Sequence, residues 1–373
     1  MSTHGKMPLS RRRFLAAGVA AATLAGLGPA RAAGGPVYVD GLSFLPHDPA
    51  DLARSALSAF ICDVSDYETV VDAQGQKSYP RTFEKCDLSI REAAARIARE
   101  FPDLMVARTA ADLADRRAKA IFQFQGCDSI GDDLSRMRHF HDLSLRVLQL
   151  THNESNSHAT AYVDEGTGVG LSALGREGVS EMNRVGLIPD VSHGSEPTAL
   201  DTVAVSSKPV ILSHSACRAL LNHPRAATDR MIRAVADSGG VFGVFMMSFW
   251  LTDDPVPTPE HYVAHIRHAV NVAGLDAVGI ANDYAMAGLS GSAGRPFDNA
   301  TDMQGYQTWW QGYRRRGVPG FGQDPLHAVI PELNNIDRMQ LIHQALLKDG
   351  FSATAAEKIM GGNWMAFLSS NLG

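Results

Sequence analysis

Leu145-Arg146-Val147-Leu148-Gln149-Leu150-Thr151-His152-Asn153 is the stretch from which the architecture can be read. A short apolar run, too short for a helix, stops abruptly on a polar triplet that includes a histidine. Strands buried on both faces and ending in chemistry-bearing residues belong to parallel sheets flanked by helices. Seven further runs of this kind lie on either side of it: Val37–Leu42, Ala59–Val64, Ala120–Phe124, Leu187–Val191, Val210–Ser213, Val241–Phe245 and Ala277–Ile280. Helical patterns alternate with them. Ile130, Leu134, Met137 and Phe140 recur at helical spacing. Thr228 caps a helix that closes on Gly239-Gly240, and Thr258-Pro259-Glu260 opens the next. Eight alternating units predict an α/β fold, a (β/α)8 barrel of the TIM type.

The strand ends then become the candidate site. They supply Gln125-Gly126-Cys127, Thr151-His152-Asn153, Asp190-Val191-Ser192-His193, Ser213-His214-Ser215 and Asn282-Asp283-Tyr284. A lone histidine is more often a satisfied structural residue than a ligand. Three at successive strand ends of one barrel face, with an aspartate, point to a shared centre.

The N-terminus reads differently from the rest. Ser10-Arg11-Arg12-Arg13-Phe14-Leu15 precedes an apolar stretch, Ala16 to Gly28, that ends at Ala30-Arg31-Ala32. That is a charged region, a short hydrophobic region and a small-residue cleavage site, and the paired arginines mark the twin-arginine type. Residues 1–32 are thus expected to be an export signal read by the twin-arginine translocase, and 33–373 a single barrel domain in the periplasm or secreted. Removing the signal removes five basic residues and no acid, which takes the net charge from −6 to −11. Such a surface disfavours nucleic acid and anionic membranes as partners. In an oxidising compartment the even count of Cys62, Cys86, Cys127 and Cys217 suggests disulfides, with Cys62–Cys86 one candidate and Cys127 and Cys217 possible neighbours. The glycine-rich, aromatic stretch 286–325, with Tyr306, Trp309, Trp310, Tyr313 and Phe321, is expected to be a long loop after the last strand. It would form a lid over the pocket or, equally, an excursion packed on the barrel wall.

Several of these segments resemble the membrane (renal) dipeptidase family of zinc metallopeptidases. Leu145–Asn153 is similar to its "R-x-L-x-L-T-H-N" stretch, and Gly170–His193 to "G-L-x-x-x-G-R…E-M-N-x-x-G…D-x-S-H". Pro209–Ser215, Asn222–Arg225, Val278–Asp283 and Gly361-Gly362-Asn363 extend the resemblance over nearly the whole mature chain. The resemblance implies an amidohydrolase-like barrel and a role for each matching residue. His193 and His214 would bind a zinc ion, His152 would contact the tetrahedral intermediate, and Arg225 would hold the substrate carboxylate. Asp283 would handle the proton of the attacking water. Members are often dimers, so a homodimer is a possible state.

Other positions depart from the pattern. Asp40-Gly41-Leu42-Ser43-Phe44-Leu45-Pro46 stands where the family writes D-G-H-x-D-x-P, so Leu42 and Phe44 replace two zinc ligands. Gln125 replaces the glutamate that bridges the ions, and Met247 stands near a position many members give to tyrosine. Gln125 is at most a weak neutral ligand. His47-Asp48 is too far along the chain to rescue the first ion. The expectation is a one-zinc site of His193 and His214, with Asp283 a possible third ligand and Gln125 a weak fourth. Two functions follow. One is a dipeptidase-like metallohydrolase acting on a dipeptide or a small carboxylate-bearing amide. The other is a catalytically degenerate relative that binds a peptide-like ligand or assists another exported enzyme. His139, His141, His261, His265 and His268 are read as structural.

Overall fold

Each of the eight expected runs forms a strand in a computed structural model that describes residues 35–71, 77–288 and 299–373. The proposed export signal, 1–32, lies outside the described residues. The barrel strands are β1 (Val39–Ser43), β2 (Ala59–Asp63), β3 (Ala118–Gln125), β4 (Leu145–Gln149), β5 (Ile188–Asp190), β6 (Leu212–Ser215), β7 (Phe242–Val244) and β8 (Val278–Ile280). β1 to β5 pair in parallel in chain order, as do β6 to β8. A parallel bridge from Asp190 to Ile211 joins the two sets. Between β8 and β1 the ring is closed by Asp283 N, which donates to Leu42 O at 2.9 Å, and by Asn282 N, which donates to Asp40 Oδ1 at 2.8 Å.

Helices pack outside the ring: α1 (Pro49–Arg54), α2 (Phe83–Glu100), α3 (Ser135–Asp142), α4 (Ala173–Val185), α5 (Glu196–Val205), α6 (Asp229–Asp237) and α7 (Pro259–Ala273). After β8 come α8 (Asn299–Arg315), α9 (Arg338–Lys348), α10 (Ala353–Glu357) and α11 (Asn363–Asn371). Thr82, Ser172, Ser195 and Thr228 each cap a helix with a side-chain oxygen, satisfying amides that the first turn cannot pair.

Alternation along the strands builds the interior in layers. Ile61, Ile121, Val147, Ile188 and Val241 meet Trp364 of α11 in one apolar cluster at the floor. Their outward-facing neighbours Phe60, Phe122 and Leu148 join the cluster that includes helix residues. Gly41 and Gly279 leave room for the indole of Trp364, and a β-carbon on Gly41 would lie 2.6 Å from the ring. Above the floor the interior turns polar. Gln123 donates to Asp190 at 2.8 Å and to Gln149 at 3.3 Å.

Two expectations are corrected. The stretch 286–325 is not a continuous loop, because α8 occupies Asn299–Arg315. Met303, Tyr306, Trp310 and Tyr313 recur at three- and four-residue spacing, and three of them are buried. The apolar stripe outweighs the low helix propensity of glycine and aromatics. The four cysteines are buried free thiols. Cys62 Sγ faces Asp63 O and Cys86 Sγ faces Asp66 O. Cys127 Sγ faces Gln149 O and Cys217 Sγ faces His265 O, on strand ends three places apart around the ring. Neither suggested pair meets.

Candidate active site

His193 and His214 converge as the sequence implied. Their Nε2 atoms lie 2.9 Å apart. The opposite ring nitrogens are both committed. His193 Nδ1 donates to Asn153 Oδ1 at 2.9 Å. Ser213 Oγ donates to Asp190 Oδ2 at 2.5 Å, so its lone pair is left to accept from His214 Nδ1 at 2.8 Å. Each imidazole therefore carries its proton on Nδ1 and presents a bare Nε2. Two bare lone pairs face each other, an arrangement that calls for a proton or a cation between them. Burial first, and then the charge of Arg225, hold both imidazoles well below the usual histidine range, so a proton is disfavoured.

Asp190 orders this corner. It accepts from Ser192 N, Ser192 Oγ, Ser213 N, Ser213 Oγ and Gln123 Nε2. Burial still raises its pKa, against those bonds. His193 has φ +63° and Asp283 φ +54°, left-handed conformations that side chains with a β-carbon adopt at a cost. Strain of this kind is kept where it aims a functional group.

His152 stacks on His193 with ring centroids 4.6 Å apart. Burial, Arg81 and Arg225 keep it neutral. Asp283 is pushed up to about 7, first by burial; Arg225 opposes the shift, and Asp63 and Asp40 add to it. Arg225 is 3% exposed. Among the described residues its guanidinium bonds only Ser215 Oγ and His214 O, and its Nε is without a partner. It lies over the rings of Phe245 and Trp250, at 5.0 and 5.3 Å, a contact worth about 2 kcal/mol when desolvated.

The other half of the expected centre is filled differently. Leu42 is wholly buried and Phe44 half-buried. Gln125 does not point a free carbonyl at an ion: its Nε2 donates to Asp63 Oδ2 at 2.9 Å. Met247 is buried in the main core. The phenol near this site comes instead from Tyr162, which packs on His193 and donates to Asn153. Asp63 and Tyr162 were missed as site residues, and Asn153, Asp190 and Ser213 were placed at the strand ends without a role. The strand-end rule finds Asp63 once β2 is seen to stop there and not at Val64.

α8 closes over this face. Tyr313 donates to Glu154 at 2.8 Å and to Asn153 O at 3.2 Å, and Arg316 grips Glu154 at 2.6 and 2.9 Å. Trp310, Tyr313 and Phe321 cluster with Tyr162, and Phe321 reaches His223. Four of the five histidines read as structural have partners of their own: His139 with Asp87, His261 with Asp254, His268 with Asp229, and His265 with Cys217 N and Leu251 O.

A family model for membrane dipeptidases (peptidase family M19) matches residues 57–296. The chain belongs to the membrane dipeptidase family. Dipeptidase tcpJ of Claviceps purpurea is 34% identical over 306 residues, which are 78% of this chain and 60% of that protein. The match thus spans little more than half of that relative's length. Among solved structures, an amidohydrolase from Pseudomonas aeruginosa superposes with a TM-score of 0.73 at 24% identity, covering 91% of this chain and 97% of that one. A metallopeptidase from Rhodobacter sphaeroides, liganded with a phosphinate mimic of L-Ala-D-Ala, gives 0.69 at 17% identity, covering 91% and 100%. At these identities the likeness establishes the barrel fold.

Members of the membrane dipeptidase family are in general zinc metallopeptidases. The facing Nε2 atoms of His193 and His214, each backed by a hydrogen-bonded Nδ1, are donors of the kind such an ion takes. Beyond that pair the fit stops. Among the described residues no three His, Cys, Asp or Glu side chains gather closely enough to hold an ion. Among the described residues the histidine pair is what this face offers an ion.

Proposed function

We propose that this chain is an exported hydrolase of the dipeptidase type. Its substrate would be a dipeptide or small amide with a free carboxylate, and its metal site is reduced to at most one zinc ion. The observation that carries the reading is the buried guanidinium of Arg225, which has no carboxylate partner among the described residues and lies behind His214. Asp283 and Asp190 favour its charge without bonding it, and a substrate carboxylate would supply the bonded partner that a buried cation calls for.

The other residues divide the chemistry. Asp283, titrating near neutrality, takes the proton from the water that attacks the amide carbonyl and passes it to the leaving amine. Neutral His152, stacked on His193, donates to the oxyanion. A zinc ion held by His193 and His214 would polarise the carbonyl and acidify the water. Export by the twin-arginine route would let the chain fold, and load an ion, before it crosses the membrane.

The engaged Gln125–Asp63 pair and the apolar Leu42 and Phe44 favour the second reading, a binder without turnover. A panel of dipeptides and N-acyl amino acids, assayed for amine release with one equivalent of zinc, separates the two. Turnover that falls at least a hundredfold in Asp283→Asn, with metal content lost in His193→Ala, supports the hydrolase. Binding of the panel without amine release from any member leaves the binder.

A further inference from the structure

Arg81 enters the candidate site from the connection between β2 and α2. Its Nε donates to Ser65 Oγ at 3.1 Å. Ser65 in turn donates to Asp63 Oδ1 from both Oγ, at 2.7 Å, and its backbone N, at 2.9 Å. Asp63 completes the chain by accepting from Gln125. The stem of Arg81 crosses Gly126, which has φ +118°. A β-carbon there would lie 3.8 Å from Arg81 Cδ, 3.7 Å from His152 N and 2.6 Å from Asp128 Oδ2. The first two are ordinary contacts and the third is a clash, so glycine is required here by Asp128 and the positive φ, and Arg81 and the His152 backbone lie on either side of this strand end.

Arg81 is tied to the end of β2 through Ser65 and Asp63, and Arg225 to the end of β6 through His214 and Ser215. Arg81 follows β2 and Arg225 follows β6, four strands apart in a ring of eight. The histidines of β4, β5 and β6 lie on the arc between them.

We propose that Arg81, linked through Ser65 and Asp63 to Gln125, is a second cationic anchor, and that the site takes ligands with two acidic groups, one for Arg81 and one for Arg225. The inference rests on the carboxylate-binding role proposed for Arg225. It adds a second charge to the substrate class and assigns that charge to a residue of the chain instead of an ion.

The test is calorimetric binding with N-succinylglycine, which has a carboxylate at each end of an amide, against N-acetylglycine, which has one. Both are titrated into the mature protein with EDTA present. The dianion is expected to bind about tenfold more tightly. Arg81→Gln should remove that preference while leaving the monoanion's affinity within about twofold, and Arg81→Lys, which keeps the charge, should retain it. Arg225→Gln should weaken both ligands. Equal affinities in the wild-type protein overturn the proposal. So does a preference that EDTA abolishes and zinc restores, because an ion would then be the second anchor. A dianion that is bound but never cleaved counts against the hydrolase reading alone, and a monoanion cleaved with no dianion preference counts against Arg81 alone.

Discussion

Gln125 and Asp63 face each other across 2.9 Å, amide to carboxylate, between the ends of β3 and β2. An ion-bridging position thus donates a hydrogen bond where its relatives would accept a cation. Gln125→Glu would set a second carboxylate against Asp63. Without a cation one of the two must keep its proton. The variant should therefore lose roughly 1–3 kcal/mol at pH 8 and less at pH 5, and added zinc should recover part of the loss. Thermal melts at both pH values, with and without zinc, check this. Equal stability of variant and parent at pH 8 contradicts it.

Asp40 predicts a pH dependence of stability. Burial raises its carboxyl to about 6 against the bonds from Asn282 and Leu42. The folded state then binds this proton more tightly than the unfolded chain, for which the reference is 3.8. Stability from this group is fully present below about pH 3.8 and is lost as pH rises through about 6, by roughly 3 kcal/mol in all. Asp40→Asn removes the titration. The difference between the urea-unfolding stabilities of parent and variant should slope in that window and be flat above it. A difference that stays flat from pH 4 to 6 would exclude the effect.

The four cysteines predict a thiol count. Burial pushes Cys86 up to about 11 and raises the other three further. Because only thiolate reacts readily, an aromatic disulfide reagent should titrate close to none in native protein and four after unfolding without reductant. Two or fewer thiols in the unfolded chain would mean that a bridge forms after all.

Trp364 and Gly41 predict a coupled pair at the barrel floor. Trp364→Ala should cost about 3–5 kcal/mol through the cavity it leaves. Gly41→Ala, which meets the indole and the carbonyls of Ser213 and Ile280, should cost about 1–3 kcal/mol. In the double variant the glycine substitution should cost less than it does alone, because the ring it strikes is gone. Strict additivity in urea denaturation would show that the carbonyls and not the ring set the limit.

How far the sequence reached differs from element to element. β1 to β8 were legible because a buried strand must be apolar and short whatever surrounds it. His193, His214 and His152 were legible because they close such strands. α8 was misread because its stripe is aromatic and interrupted by glycine. Asp63 was overlooked inside an apolar run. Arg81, forty-four residues before Gln125, carries no local sign of the site it enters.

By itself the sequence determined the eightfold alternation, the histidine-bearing face and the loss of Leu42, Phe44 and Gln125 as anionic or imidazole ligands. Those are matters of residue type and spacing, and they hold for any packing of the chain. Only the tertiary structure decided that the thiols stay apart, that Gln125 bonds Asp63, and that Arg81 and Arg225 flank one row of imidazoles. Each of these is a distance between residues remote in the chain. Such distances are set when the barrel closes and buried polar groups must find partners.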